Sequence, residues 1–357
     1  MSEDMKMYYV DEHIKNTERV FPEQNRYEYL RYDMNENPEG LPKTFVDDVL
    51  KEITPEFLAI YPEPDRFLNK YASYVGMEYK NVLATNGSDQ GIRYLLQTFG
   101  ERGKNVVTVA PSFEMYWVNC KILGLNHVPV SYKEDLSIDV DDIVSAIDDD
   151  TRIVVLLNPN NPVGNAYTDE EATKVIEKAR QVGAIVIIDE AYHYFYENTF
   201  LDKVRRYDNV VILRTFSKLF SIAACRLGVM IAHEDIIGYV KNCKLTFDVN
   251  SIALLFGERL LDHPEIERQL IRDEQEGKAY CLETLTGEGY ETQICKGNFF
   301  FVKPHSNPKD LAERLEKNHK ILVKTFGNPL LKDVLRVSVG SKKSMELFMK
   351  AFLQEDK

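Results

Sequence analysis

Four polar segments, each following an apolar run, hold the side chains best suited to chemistry. Thr215-Phe216-Ser217-Lys218 follows the run 210–213, and Arg226 stands eight residues after the lysine. A lone lysine is ordinarily a solvated surface group. Between apolar neighbours its charged form is disfavoured, which makes the amine a nucleophile toward carbonyl compounds. Arg226 offers a permanently charged fork that suits a phosphate. Asp189-Glu190-Ala191-Tyr192 follows the run 185–188. Its first acid is either a helix cap or a carboxylate paired with the protonated ring nitrogen of a bound cofactor. Asn86-Gly87-Ser88-Asp89 is either an ordinary capped turn or an anion site made by glycine backbone and helix amides. Asn158-Pro159-Asn160-Asn161-Pro162-Val163-Gly164 follows the run 153–157. Two prolines and a glycine fix this loop, so it is either a plain turn or a rigid mount for asparagine amides.

Those segments need a scaffold. Apolar runs at 82–85, 106–110, 153–157, 185–188, 210–213 and 229–232 alternate with helix-like stretches. Ile92, Leu95, Leu96 and Phe99 recur at the spacing of an amphipathic helix. Thr168-Asp169-Glu170-Glu171 reads as a capping box for a helix burying Ala172, Val175, Ile176, Ala179 and Val182. Strands rich in Val and Ile, separated by helices, predict a three-layer α/β/α fold with a mostly parallel central sheet. In such sheets ligands bind beyond the carboxyl ends of the strands, where the four polar segments fall.

After residue 250 the pattern changes. A helical stretch over 252–285, a strand at 298–302, a helix near 308–318 and a strand at 335–339 predict a smaller α+β domain. Residues 1–40 read as an irregular arm, ending in the turn chemistry of Asn35-Glu36-Asn37-Pro38-Glu39-Gly40. The expected division is therefore an arm (1–40) packed on the small domain, a large cofactor-binding domain (41–250) and a small C-terminal domain (251–357).

Composition excludes several function classes. The formal charge of −13 and the acidic pI argue against nucleic-acid and anionic-membrane partners. A buried local site can still be basic, so small anionic ligands stay open. Five scattered cysteines, with no C-x-x-C pair, fit free thiols in a reducing compartment. The start over 1–6 is acidic and lacks an apolar signal core, and no apolar run is long enough to span a bilayer. A cytoplasmic protein is expected. There is no G-x-G-x-x-G and no Walker A loop, and His233-Glu234 has no second histidine at helical spacing. No metal site is expected.

Taken in order, the four segments together with Leu335-Arg336-Val337-Ser338-Val339-Gly340 resemble the fold-type I pyridoxal-5′-phosphate enzymes, class I/II aminotransferases. The likeness is closest to the histidinol-phosphate aminotransferase branch and runs from Asn35 to Gly340. It implies that Lys218 holds the cofactor as an internal aldimine and shuttles the substrate proton. It implies that Asp189 pairs with the pyridine nitrogen, and that Asn161 and Tyr192 hydrogen-bond the phenolic oxygen. Phe113 would stack on the ring, while Ser88, Asp89, Ser217 and Arg226 would cradle the phosphate. Tyr61, in Tyr61-Pro62-Glu63-Pro64, would reach the phosphate of a partner subunit, which implies a homodimer. Arg336, with Asn161 and Asn37, would bind the substrate. Lys324 stands where that branch tends to carry an arginine for the substrate phosphate. The segment 245–250 lacks the usual proline and would put Asp248 near the substrate path.

The implied reaction moves an amino group between an amino acid or phosphorylated amine and a 2-oxo acid, by ping-pong kinetics. A decarboxylase of an O-phospho amino acid, such as phosphoserine or phosphothreonine, would use the same lysine and aspartate. The motifs alone leave it open, and a non-catalytic α/β binding protein is the third reading.

Overall fold

The computed structural model describes residues 8–17 and 25–357. The acidic start, and part of the expected arm, lie outside the described residues. In the N-terminal segment, β1 spans Leu30–Tyr32. The main sheet comprises β2 (Val82–Asn86), β3 (Asn105–Ala110), β4 (Asn126–Ser131), β5 (Thr151–Leu157), β6 (Ile185–Asp189), β7 (Val210–Thr215) and β8 (Leu227–Ala232). Among the described residues its order is β2-β8-β7-β6-β5-β3-β4. The pairs within β7-β6-β5-β3-β4 are parallel, whereas β8 runs antiparallel to both β2 and β7. Two reversals cancel, so β2 points the same way as β5, β6 and β7.

Alternation along each strand divides the core between two faces. Ile185, Ile187, Val211 and Leu213 pack against Ile92, Leu95 and Tyr116 from helices Ser88–Phe99 and Met115–Leu123. Val186, Ile188, Val210 and Ile212 belong to the opposite cluster, with Ala172, Val175 and Ile176 of helix Asp169–Gln181. That helix starts with the expected capping box. Burying each such aliphatic side chain stabilises the fold by about 1.5–3 kcal/mol before chain entropy is counted. The result is the expected three-layer α/β/α arrangement. The edge strand β4 is an addition, because Asn-His-Val-Pro-Val-Ser is half-exposed, carries a proline and shows no apolar run.

The smaller sheet contains β9 (Glu291–Ile294) and β10 (Phe299–Lys303); β11 (Ile321–Val323) lies apart, and β12 (Leu335–Ser338) completes the set. β10 lies between β12 and β9, antiparallel to both. β11 pairs in parallel with β1, and Tyr32 of β1 is buried in the small core beside Phe300, Val302 and Phe348. The N-terminal segment is thus not wholly irregular. A three-residue strand is too short to show a period. Earlier, a single-turn helix at Glu12–Lys15 leans on helix Met115–Leu123, and Asp11 pairs with Arg102.

The expected helix over 252–285 is two helices, Ser251–Asp262 and Pro264–Gly287. Pro264 lacks an N–H and pushes the preceding residue out of helical conformation, and His263 sits at φ −119°, ψ 64°. The first helix buries Ala253, Leu254, Phe256 and Leu260 in the core of the main sheet. The second joins Cys281 and Leu285 to the small core.

Candidate active site

Because β2, β5, β6 and β7 run the same way, the segments after them meet at one edge. β8 runs the other way, so its amino end, with Arg226 just before it, arrives at that edge too. One strand reversal therefore brings the arginine to the serines.

At this edge Arg226 donates from Nη1 to Ser217 Oγ (3.3 Å) and from Nη2 to Asp89 Oδ2 (3.2 Å). Ser88 and Asp89 open a twelve-residue helix whose N-cap is Gly87, at φ +76°. A Cβ on Gly87 would lie 2.3 Å from Arg226 Nη2, so only glycine lets the guanidinium lie across the helix start. Gly228 is pressed as closely on the Gly87–Ser88 backbone. Helix amides, a hydroxyl and a guanidinium converge as an anion cradle. The Asp89 carboxylate faces Arg226, so what this residue can offer an anion is its backbone N–H.

Asp189 ends β6, only 4% exposed. Its Oδ1 accepts the Ala191 N–H (3.1 Å) and its Oδ2 accepts the Tyr116 hydroxyl (2.9 Å). Burial raises its carboxyl to about 6, against the lowering effect of those two donors, with Asp89 and Glu190 adding to the rise. Among the described residues it forms no ion pair.

Lys218 is half-buried, not buried as its apolar neighbours suggest. Its Nζ reaches out of the strand end to the Met34 carbonyl (2.8 Å) and lies 5.8 Å from the centre of the Tyr192 ring. The Tyr192 hydroxyl accepts from Asn35 Nδ2 (2.9 Å), which leaves its own proton free to donate. Of the three loop asparagines, two are structural. Asn158 accepts the Tyr167 N–H and Asn160 the Val163 N–H, which holds the loop shut. Asn161 alone turns outward, and its Oδ1 accepts from Arg336 Nη1.

Arg336, on β12, is 5% exposed and lies between the Phe299 and Phe326 rings. Its Nη2 donates to the Asp33 carbonyl (2.7 Å), and its Nε has no partner. Among the described residues no acid forms an ion pair with it, and burial lowers its pKa. Lys324 sits opposite Arg336 in an antiparallel bridge and is exposed. Directly opposed residues share a face of the sheet. Asn37 donates to Ser221 Oγ (2.8 Å) and lines a cavity of about 50 Å³ beside Lys218.

Phe113 is half-buried at the start of the segment leading into helix Met115–Leu123. Two residues lie outside this cluster in the single chain. Tyr61 is exposed and stacks on Phe247, 4.4 Å between ring centres. Asp248 is held by the Lys244 amine and the Tyr94 hydroxyl, neither of which is among the residues expected to bind the substrate. Sequence reasoning missed Tyr116, although it stands three residues after Phe113. It missed Asn35, whose turn was read only for Asn37. It also missed the backbone carbonyls of Asp33 and Met34, which no side-chain pattern marks.

The aminotransferase class I and II family model matches residues 32–352. The chain is 32% identical over 317 residues to the histidinol-phosphate aminotransferase of Clostridium novyi (strain NT), covering 88% of each. It is 31% identical over 336 residues to that of Thermoanaerobacter sp. (strain X514), covering 93% of this chain and 94% of the other. Its fold is similar to the crystal structure of histidinol-phosphate aminotransferase from Sinorhizobium meliloti in complex with pyridoxal-5′-phosphate. That likeness has a TM-score of 0.86 at 20% identity over 97% of both chains. Among the described residues no cluster of His, Cys, Asp and Glu could hold a metal, and no helix is long and apolar enough to cross a membrane.

Proposed function

The chain belongs to the class I and II aminotransferase family, and from that premise we propose that Lys218, Asp189 and Tyr192 carry out its chemistry. It is a pyridoxal-5′-phosphate-dependent aminotransferase. Bound in the site, the cofactor supplies an electron sink for the pair released when a substrate Cα–H bond breaks. The residues fit it on two observations: a buried acid without a cation, and a glycine-lined anion cradle that a Cβ would fill. Asp189 holds the ring nitrogen protonated. Ser88, Ser217, Arg226 and the Asp89 amide hold the phosphate. Tyr192 and Asn161 donate to the phenolic oxygen, and Phe113 packs on the ring. Lys218 anchors the cofactor through its amine and then carries the proton from the substrate Cα.

One observation supports the substrate side above the others: Arg336 is a buried guanidinium with a free Nε and, among the described residues, no anion of its own. A substrate carboxylate, or the phosphate of a phosphorylated amine, would complete it, with Asn161 and Asn37 alongside. Lys324, on the same face of the bridge, supplies a second cation for a distal anionic group. This reading is an amino transfer from an amino acid or phosphorylated amine, histidinol phosphate among the candidates, to a 2-oxo acid. A panel of such donors with 2-oxoglutarate should yield glutamate and no CO₂. Release of CO₂ from phosphothreonine or phosphoserine without glutamate would replace the reading with a decarboxylase. Borohydride should fix the cofactor on Lys218, and a label on another lysine would overturn the site.

The exposed apolar Leu58, Ile60, Tyr61, Leu245 and Phe247 support a homodimer in which Tyr61 of the partner subunit reaches the phosphate. Sedimentation equilibrium should give twice the chain mass, and a single-chain mass would contradict it. The five cysteines are all free, which supports a cytoplasmic location. Cell fractionation should find the protein with the cytosolic fraction, and its recovery outside the cell would contradict that.

A further inference from the structure

We propose that Tyr116 is a positioning residue for the transamination, holding Asp189 as an aimed, ionised carboxylate opposite the cofactor ring. The proposal rests on the reading that Asp189 pairs with the ring nitrogen. It starts from two hydrogen bonds that lock the carboxylate. The Ala191 N–H holds Oδ1 and the Tyr116 hydroxyl holds Oδ2. A carboxylate oxygen has more than one acceptor direction, so two donors fix the group while leaving it able to accept from a ligand.

The surroundings give the phenol its importance. Asp189 is buried, and the neighbouring charged groups that affect it, Asp89 and Glu190, are both acids that oppose its ionisation. Among the described residues the Tyr116 hydroxyl is the one side chain that favours the ionised form. Tyr116 is itself 1% exposed, and burial beside Asp189 keeps its phenol protonated, so it acts only as a donor. Between an acid and a ring nitrogen one proton is shared, and a donor to the acid shifts that proton toward the ring. Phe113 lies three residues earlier, so one short segment sets both the ring face and the acid opposite its nitrogen.

The test uses holoenzyme loaded with ¹⁵N-labelled cofactor, comparing wild type, Tyr116→Phe and Asp189→Asn. Tyr116→Phe keeps the ring and its packing. It should move the ring-nitrogen signal part of the way toward that of a neutral pyridine, and Asp189→Asn should move it further. The pKa of the visible Lys218–cofactor absorbance should rise by about half a unit to one unit in Tyr116→Phe, because a less protonated ring withdraws fewer electrons. The kcat should fall about tenfold with KM nearly unchanged, the size expected for one hydrogen bond to a charged group felt at the transition state. A Tyr116→Phe enzyme with wild-type nitrogen signal and absorbance pKa, only melting lower, would make the contact merely structural and overturn the proposal. If Asp189→Asn also left the nitrogen signal unchanged, the Asp189 pairing itself would fall. The two failures are thereby distinguished.

Discussion

Asp189 and Glu190 are neighbours in sequence, both carboxylic acids and both buried, yet the protein treats them in opposite ways. Glu190 accepts from Arg214 Nε and Nη2, the Thr199 hydroxyl and the Phe200 N–H, at 2.7–3.0 Å. Its cation is supplied by the adjacent strand, and the pair is closed. Asp189 receives two neutral donors and, among the described residues, no cation, so burial lifts its carboxyl to about 6. The arginines repeat the contrast. Arg214 is matched by Glu190, while Arg336 is equally hidden and among the described residues has only neutral oxygens. Burial alone therefore does not mark a working charge. A buried charge left open by its own fold does, because an isolated one costs stability unless something binds it.

Breaking the closed pair should have the largest effect on folding. Glu190→Gln leaves Arg214 buried without a counter-ion, and the holoprotein should lose roughly 3–5 kcal/mol in denaturant unfolding. A loss under about 1 kcal/mol would show that the pair is not what holds that region. The open arginine should behave in the reverse manner. Arg336→Lys keeps the charge but loses the fork, so kcat/KM for amino-acid donors should fall about a hundredfold, while folding stability changes little. Normal turnover with a large drop in stability would make Arg336 structural. The smallest effect is expected at Lys324, which is exposed. Lys324→Ala should raise KM only for donors with a second anionic group, by about two- to fivefold, and added salt should shrink the difference. An equal rise for singly charged donors would remove Lys324 from the substrate contacts.

The closed and open charges were not equally legible in the sequence. Lys218, Asp189 and Arg226 could be picked out because each follows or precedes an apolar run, and strand direction then determines where they meet. The sheet was readable for the same reason, except β4, whose Asn-His-Val-Pro-Val-Ser has only two partly buried valines and no fully buried residue to betray it. Glu190 stood beside Asp189 with nothing to separate their roles. Only the pairing of β6 with β7, which brings Arg214 behind it, does so. Tyr116 looked like any core aromatic on an amphipathic helix. Asn35 and the carbonyls of Asp33 and Met34 act through a bend over 33–35, with Asn35 at φ +56°, which leaves no periodic trace. The helical stretch over 252–285 was correctly helical, and its break lay in plain view at Pro264.

The central claim, that Asp189 is a charge held open for the cofactor, is tested most directly by melting Asp189→Asn and wild type with and without cofactor across pH. Without cofactor, the folded wild type holds the Asp189 proton up to about pH 6, whereas the unfolded chain releases it near pH 4. Wild type should therefore lose up to roughly 3 kcal/mol relative to the variant as pH rises through that window, the full difference being reached above it and absent below it. With cofactor bound the order should reverse, wild type melting higher. Curves that keep the same separation at every pH, with and without cofactor, would contradict the account.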